Sequence, residues 1–300
     1  REHLLPGLLD HHRRLGVQRF FIIDNDSTDA TPDFLDAQPD VHWFHTWQPF
    51  SESQYGVIWW HAILDRYCDG HWTLVVDADE LFIYPDHERL PLDGLVEYLE
   101  VTRAQAVFTI LLDMYSDGPI REARHQPDQP FLSTCAFFDS AFYRILPCPN
   151  EFPPLHIYGG PRARMFWREV DRRQVNPPTV SKVPFLKWEK GKTRFLLNQH
   201  CLTNVRLSEI TGALLHFKCF SDFHERAETE TARGEHFQGG REYRVYHQTL
   251  ARNPALTLMD AGSRRYEDSG QLVRLRLMRS TERYRQFVEA WHDRRGSAQC

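Results

Sequence analysis

The sequence lacks three features that would point to a particular class of protein. No apolar stretch approaches the ~20 residues that a helix needs to cross a bilayer. Positive charge is not in excess, because 36 lysines and arginines are outnumbered by 41 aspartates and glutamates, for a formal net charge of −5. General nucleic-acid binding depends on many cations that neutralise phosphates, so this charge argues against it. Internal repeats and low-complexity tracts are also missing.

Closely spaced cysteines are missing as well. None of the 6 cysteines forms a C-x-x-C pair, so neither a zinc ribbon nor a thioredoxin-type site is indicated. In a chain of this length an even number of cysteines does not imply disulfides, and a reducing compartment is the simpler interpretation. We expect a cytoplasmic protein whose contact with a membrane, if any, is peripheral and at the inner face.

Helices and strands are predicted in alternation through the first quarter of the chain. Since 41% of the 300 residues are hydrophobic, the chain can bury the core of one large domain. Alternating βα units imply an α/β fold with a mostly parallel sheet and helices on its faces. The predicted elements are helix 2–15, strand 19–23, helix 31–37, strand 41–45, helix 53–67 and strand 72–76.

The rest of the chain is less regular. Pro-Cys-Pro and Phe-Pro-Pro sequences interrupt residues 114–160 and exclude long helices there. We expect one domain over 1–270, with 114–200 as an irregular elaboration, and a helix with a tail over 271–300. The remaining predicted elements are helix 92–101, strand 106–112, strand 213–217, helix 219–232 and an amphipathic helix 271–292.

Two carboxylates, Asp77 and Asp79, follow the apolar residues 74–76, which predict a buried strand. Residues two apart on an extended chain point the same way, so both carboxylates can converge on one ion. Mg²⁺ or Mn²⁺ prefers such oxygen ligands and keeps open positions for phosphate oxygens. An acidic exit from a strand into a loop, without a metal, is the alternative interpretation.

A second apolar strand ends in the polar residues Asp24, Asn25 and Asp26. Their short side chains can cap the next helix, which Pro32 opens, and this local role is one interpretation. Ligands in open α/β sheets also bind at the carboxyl ends of strands. We therefore expect Asp24 and Asp77 at adjacent strand ends of a single sheet, where the two acidic clusters form one site.

The two acidic segments, in this order, resemble those of GT-A glycosyltransferases, specifically the family 2-like bacterial branch related to family 92. The resemblance covers roughly residues 1 to 275 and implies a GT-A fold. It also implies that the nucleoside of a sugar nucleotide lies against the first cluster and that the D-x-D carries a metal bridging the diphosphate. The matching segments are Ile23-Asp-Asn-Asp-Ser-Thr-Asp-Ala-Thr31, Val75-Val-Asp-Ala-Asp-Glu80, Leu9-Asp-His-His-Arg-Arg-Leu-Gly16, Gly159-Gly-Pro-Arg-Ala-Arg164, Ser181-Lys-Val-Pro184 and Leu214-Leu-His-Phe-Lys218.

The resemblance implies a further strand ahead of the first helix. Members of this branch begin with a strand that ends in an Arg/Lys-Asn-Glu signature, whereas this sequence starts at Arg1 without Met. We therefore expect an excised fragment, with part of the nucleoside pocket encoded upstream.

His216 and Lys218 lie in the Leu-Leu-His-Phe-Lys segment. In many GT-A enzymes a histidine from a late strand completes the metal site, so the resemblance implies that His216 is a third protein ligand, and imidazole suits Mn²⁺. Lys218, on the same side of the strand, would then neutralise diphosphate charge. A core histidine and a solvated lysine at the sheet edge are the alternatives.

Three further basic residues are candidates for binding phosphate. Gly159 and Gly160 permit close approach of the backbone to a ligand, and the guanidinium groups of Arg162 and Arg164 can bind phosphate or carboxylate bidentately. We expect this loop to bind the leaving diphosphate or an acidic acceptor, with Lys182 in a similar role. Ordinary surface positions for these side chains are the alternative.

The resemblance implies transfer of a sugar, from a UDP-linked donor by analogy, to a glycan, cell-surface polysaccharide or lipid-linked acceptor. The metal would act as a Lewis acid, and an inverting reaction also needs a carboxylate as general base. Asp113, at the end of strand 106–112, is the first candidate for the base and Glu169 is the second. The expected acidic pair after the Gly-Gly turn is replaced by Pro-Arg-Ala-Arg.

Two other classes of function fit the same carboxylates. A nucleotidyltransferase also presents carboxylates at strand ends to Mg²⁺, but it usually has a glycine-rich, basic loop after its first strand, which residues 24–29 are not. A domain that binds nucleotide sugars or glycans without turnover is the other class. The presence of both Asp77 and Asp79 argues against a protein that has lost its activity.

Overall fold

The elements predicted in the first half of the chain are found with boundaries within a few residues, but the strand Glu80–Ile83 and the short helix Phe131–Thr134 are additional to them. The computed structural model describes residues 2–168, 170 and 176–297. The elements of the first half are α1 Leu5–Leu15, β1 Phe20–Asp24, α2 Thr31–Asp36, β2 Val41–His45, α3 Val57–Tyr67, β3 Trp72–Leu74, β4 Glu80–Ile83, α4 Leu92–Thr102, β5 Ala106–Asp113 and α5 Phe131–Thr134.

The second half has short strands and one short helix before its long helices; residues 114–160 contain no long helix, as the proline pairs predict. No helix among the residues described is long and apolar enough to span a membrane. The elements are β6 Phe137–Asp139, β7 Tyr143–Pro147, β8 Leu155–Gly159, α6 Gly160–Phe166, β9 Ser181–Lys187, β10 Phe195–Asn198, β11 Cys201–Leu202, β12 Gly212–His216, α7 Phe223–Arg233, α8 Phe237–Arg252, β13 Ser263–Arg265, α9 Ser269–Arg274 and α10 Glu282–Ser297.

A five-stranded mixed sheet in the order β3-β9-β5-β12-β4 forms the centre of the molecule. Only β5 and β12 run parallel, and the other three pairings are antiparallel. The α/β class is confirmed, but the mostly parallel sheet is not found. The apolar runs of β5 and β12 indicate buried strands, which does not fix their direction. The strand predicted to be buried ahead of Asp77 is instead the half-buried edge strand β3, which ends at Leu74. The sheet is mixed because β9 and β4 run in the opposite direction to β3, β5 and β12.

The strand that carries Asp24 belongs to a different sheet from the strand that leads to Asp77. β1 and β2 form a parallel two-stranded sheet, in register from Phe20 opposite Val41 to Asp24 opposite His45. The prediction of a single sheet with both acidic clusters at adjacent strand ends is therefore wrong for the part of the chain that is described. Each cluster does lie at the carboxyl end of its strand region, as predicted.

The main hydrophobic core lies between the central sheet and the helices α1, α4 and α10. Leu5 and Leu8 of α1, Leu95 of α4 and Trp291 of α10 pack with fully buried residues of the sheet such as Leu214. Burying each such side chain stabilises the fold by about 1.5–3 kcal/mol before the loss of conformational entropy is counted. This core holds the ends of β5 and β12 in fixed positions.

Gly159 allows two backbone segments, rather than a ligand, to approach each other. Its φ of 137° lies in the region that favours glycine, and a Cβ there would lie 1.9 Å from the carbonyl oxygen of Phe142. The next residue, Gly160, donates its N–H to the same oxygen at 3.2 Å. The predicted close approach of the backbone therefore occurs between Gly159 and the residue that precedes β7, Phe142.

The terminal amphipathic pattern gives two helices instead of the single helix predicted over 271–292. α9 ends at Arg274, and Arg276 has a φ of 60°, which a continuous right-handed helix does not tolerate. The Thr281 hydroxyl then accepts the N–H of Tyr284 at 3.2 Å and caps α10. Apolar spacing near 3.6 residues persists through the break, so spacing alone did not reveal it.

Candidate active site

The ends of three strands bring Asp79, Asp113 and His216 together. β12 lies between β5 and β4, so His216 stands opposite Asp113 on one side and opposite Glu80 on the other. The turn that contains Asp79 is fixed to β12, because the Phe217 N–H donates to the carbonyl oxygen of Asp79 at 2.8 Å. We call Asp79, Asp113 and His216 the trio; all three side chains are buried.

The imidazole of His216 lies between the two carboxylates of the trio. Its Nδ1 is 2.6 Å from Oδ1 of Asp113, a short hydrogen bond, and its Nε2 is 3.8 Å from Oδ2 of Asp79. The second distance is too long for a hydrogen bond. Two ligands bound at ~2.1 Å to one ion are up to ~4 Å apart, so the gap between Nε2 and Asp79 can hold a divalent cation.

The protonation states within the trio favour a neutral imidazole. Burial lowers the pKa of His216 below its ordinary value of 6.5, although Asp79 and Asp113 oppose the shift. Burial alone would raise the pKa of Asp113, but Arg162 and His216 outweigh it and lower that pKa. The ionised Asp113 accepts the proton on Nδ1, which leaves the Nε2 lone pair directed at Asp79. Carboxylate, histidine and metal form this sequence of contacts in many metal sites.

Arg162 occupies the second oxygen of Asp113. Its Nε donates to Oδ2 at 2.8 Å, and its Nη1 lies 3.5 Å from Oε1 of Glu242 and 3.4 Å from the hydroxyl of Tyr246. Arg162 is thus a buried residue at the predicted site, not a surface arginine. Because both Asp113 oxygens already accept hydrogen bonds, the contacts suit a residue that orients His216. Its role as general base stays a prediction.

Arg164 has partners outside the trio. The guanidinium of Arg164 binds Asp139 with contacts of 3.0 and 3.1 Å and the carbonyl oxygen of Leu258 at 2.7 Å. These contacts tie α6 to β6, and the predicted contact between Arg164 and phosphate remains untested. Glu169, the second candidate base, lies outside the described residues.

Lys182 pairs with two acidic residues of the D-x-D segment. Its Nζ lies 2.9 Å from Oδ2 of Asp77 and 2.5 Å from Oε1 of Glu80. Burial would lower the pKa of Lys182, but these carboxylates outweigh it and raise that pKa, so the ammonium is permanent. The Asp77 side chain is 51% exposed, against 7% for Asp79, and the two carboxylates have different neighbours. Their predicted convergence on one ion stays a prediction.

Lys218 is enclosed by side chains of α8 that the sequence did not reveal. Its Nζ lies 3.4 Å from the hydroxyl of Tyr243, 3.7 Å from Oε1 of Glu242 and 5.3 Å from the ring centroid of Tyr246. It is therefore not the solvated edge lysine of the alternative interpretation. Glu242 and Tyr246 are four residues apart on a helix and hydrogen-bond to each other, the one local signal that could have identified them.

The Asp24 segment makes hydrogen bonds within its own turn and to the segment after β2, whereas the N-cap of α2 is Ala30, which provides no side-chain hydrogen bond, so the predicted cap is not found. Asp24 is buried and its Oδ2 accepts the N–H of Ser27 at 3.3 Å. The Asn25 amide donates to the carbonyl oxygens of Thr46 and Gln48, at 3.1 and 3.0 Å. Asp26 is exposed, and its Oδ1 is 3.4 Å from Nε2 of His45. Of Asp24 and Asp26, it is Asp26 that presents its carboxylate to solvent, and binding of a nucleoside by this segment stays a prediction.

No protein-family model matches the sequence, and no curated protein matches it either. The functional assignment below therefore depends on the geometry of the trio and on the sequence motifs.

Proposed function

We propose that the protein is a metal-dependent glycosyltransferase with a GT-A-like fold, which transfers a sugar from a nucleotide-sugar donor to an acceptor hydroxyl with inversion. The observation that carries the proposal is the trio, because its buried carboxylates and neutral imidazole lie at the carboxyl ends of the parallel strands β5 and β12. Ligands of α/β proteins bind at such strand ends. The sequence resemblance supplies the donor and acceptor classes.

Asp79 and His216 are the residues that would hold Mn²⁺ or Mg²⁺, with Asp77 beside them. The donor set fits such a cation, since carboxylate oxygen and imidazole nitrogen are both acceptable ligands and the Nε2 to Oδ2 gap is 3.8 Å. When bound, the metal offsets the charge that develops on the leaving diphosphate. Asp113 keeps the His216 ring in the orientation and tautomer that this requires.

Lys182 stabilises the D-x-D turn by pairing with two of its carboxylates. Asp77, Asp79 and Glu80 repel one another, and the repulsion raises the pKa of Glu80 in addition to the effect of burial. The Lys182 ammonium bonds to two of the three carboxylates and so keeps the turn ordered before a cation is present. We propose this positioning role for Lys182, in place of direct binding of phosphate.

Hydrolysis of the donor tests the proposed function and separates it from its rivals. The protein is incubated with UDP-, GDP- and dTDP-linked sugars, with Mn²⁺ or with EDTA. We expect release of sugar from one class of donor, UDP-linked by analogy, in Mn²⁺ alone. Release of pyrophosphate from a nucleoside triphosphate and a sugar phosphate would instead identify a nucleotidyltransferase. Binding of the donor without any turnover would identify a binding domain.

The affinity for Mn²⁺ should depend on the protonation of His216. Protonation removes the Nε2 lone pair, so affinity is full while the ring is neutral and falls as the pH drops through the His216 pKa. Because burial lowers that pKa, the fall should occur below pH 6.5. Calorimetric titration with Mn²⁺ in the presence of UDP measures the profile. In His216→Gln the affinity should be weaker at neutral pH and should lack this fall; unchanged affinity with a lowered melting temperature would make His216 a packing residue only.

A further inference from the structure

Four side chains with metal-binding atoms form a second cluster, on the elements that surround β9. Cys148 and Glu151 lie in the loop between β7 and β8, His156 lies on β8 and Cys201 lies on β11. The ligand atoms of Cys148, Glu151 and His156 all lie within 4.8 Å of one another. The Cys201 Sγ lies 3.1 Å from Oε2 of Glu151 and 4.0 Å from Nε2 of His156. We call these four residues the quartet.

The loop that carries the quartet is held in place by backbone hydrogen bonds. The N–H of Cys148 donates to the carbonyl oxygen of Pro154 at 2.9 Å, and the N–H of Glu151 donates to that of Cys148 at 3.0 Å. The N–H of Leu202 donates to the carbonyl oxygen of Phe152 at 3.0 Å, which ties β11 to the same loop. The side chains therefore converge because their backbones are fixed, and the cluster is preorganised.

We propose that the quartet binds one Zn²⁺ ion as a closed, structural site. Two thiolates, one imidazole and one carboxylate form a donor set that suits tetrahedral Zn²⁺. Ligand atoms of such a site are ~3.3–3.8 Å apart. The Cys201 Sγ, at 3.1 and 4.0 Å from two of its partners, is close to this spacing, and the ligand atoms of Cys148, Glu151 and His156, within 4.8 Å of one another, would draw closer on binding the ion. Thiolates select Zn²⁺ over the Mn²⁺ or Mg²⁺ that oxygen ligands prefer.

The burial of the quartet also fits a site that takes up a metal from solvent. His156 and Cys201 are buried, whereas the Glu151 side chain is 49% exposed and provides a route of entry. The Nε2 of His156 faces Glu151 at 2.7 Å, and its Nδ1 has no hydrogen-bond partner among the described residues. A proton on Nδ1 leaves Nε2 free to ligate, as Zn²⁺ requires.

A zinc ion here would stabilise the region beside the trio without taking part in the reaction. It would join the loop between β7 and β8 to β11. The residues before Cys201 contact the site already described, because the Gln199 amide lies 3.5 Å from Oδ1 of Asp77 and Nδ1 of His200 lies 2.5 Å from the carbonyl oxygen of Ser181. Loss of zinc should therefore lower stability first, and affect Asp77 only through these contacts.

Metal analysis and cobalt spectroscopy test the proposal on the whole chain. We expect protein expressed with Zn²⁺ to retain one equivalent through gel filtration, and to melt at a lower temperature after the metal is removed. Co²⁺ added to the stripped protein should give a thiolate-to-cobalt charge-transfer band and the strong visible bands of tetrahedral geometry. Cys201→Ser and His156→Gln should each weaken Zn²⁺ binding at least ~100-fold, more than loss of an outer contact does.

Two control variants should leave the zinc site intact. Cys219→Ser, which removes a thiol from the core cluster around α8, and Asp79→Asn, which alters the trio, should both keep the zinc and the cobalt spectrum. Failure of the donor assay with zinc retained would reject only the proposed glycosyltransferase. A disulfide between Cys148 and Cys201, a cobalt spectrum without a thiolate band, or wild-type protein without zinc affinity would overturn the zinc proposal. If the quartet variants do not fold, the wild-type cobalt spectrum decides.

Discussion

Replacement of Asp79 by asparagine should reduce the rate of Mn²⁺-dependent release of sugar from the donor at least ~100-fold. This factor corresponds to ~3 kcal/mol of transition-state stabilisation. Asparagine keeps the shape of the side chain but removes the charge that would hold the cation opposite His216. The fold should be preserved, because the Asp79 charge disfavours the ionised forms of both Asp77 and Glu80, and its loss relieves that repulsion. Initial rates across a Mn²⁺ titration, with a thermal melt of each protein, measure both effects.

A matched control is Asp33→Asn, which removes an exposed carboxylate from α2 and should leave activity unchanged. Asp77→Asn should behave differently from Asp79→Asn, since it takes one carboxylate from buried Lys182 and should also lower stability. Full activity of the Asp79 variant at saturating Mn²⁺, or wild-type turnover in excess EDTA, would refute the proposed metal site.

Replacement of Arg162 by methionine should destabilise the fold by about 3–5 kcal/mol at neutral pH. The change leaves the buried carboxylate of Asp113 with His216 as its single partner, and it removes one of the cations that pair with Glu242. Arg162 is nearly inaccessible to water, so solvent cannot replace the lost hydrogen bonds. Urea denaturation of the variant and of wild type, with equal slopes, gives the difference in free energy of unfolding. Arg14→Met, in an exposed pair with Asp10, is the control and should change stability little.

The pH dependence of this difference has a definite sign. In wild type the pKa of Asp113 is lowered below its ordinary 3.8, so the stability that its charge contributes is complete at neutral pH and is lost as pH falls through the lowered pKa. Without Arg162, burial should raise that pKa, and Asp113 should be protonated at mildly acid pH. The destabilisation should thus be smaller at pH 5 than at pH 7. A constant or larger difference at pH 5 would show that Asp113 does not depend on Arg162 for its charge.

The positions of helices and strands were largely predictable, but the directions of the strands were not. The apolar residues of β5 and β12 identify buried strands, and both strands are found where their sequences predict them. The reversed entry of β9 and β4 depends on which strands are neighbours in space, and an apolar run carries no such information. The break between α9 and α10 was missed for a similar reason, since a residue with positive φ interrupts the helix without interrupting its apolar pattern.

The candidate site was predicted in part. Asp79 and His216 were expected to meet at a metal, and the structure brings their side chains within 3.8 Å. Asp113 was expected near the same site as a base and is found hydrogen-bonded to His216. Glu242 was not anticipated at all, since it is far from the other residues in the chain and reaches them only through the packing of α8.

The sequence by itself determined the α/β class, the strand ends that carry Asp79 and His216, and the absence of closely spaced cysteines. These features depend on neighbouring residues, whose spacing fixes the face of a strand or helix on which a side chain lies. Only the tertiary structure decided that Arg162 and Lys182 are buried ion-pair partners, that Lys218 is a half-buried one, and that Cys148 and Cys201 share a cluster. Contacts between residues far apart in the chain arise from the pairing of strands and the packing of helices. A linear pattern of residue types does not encode them.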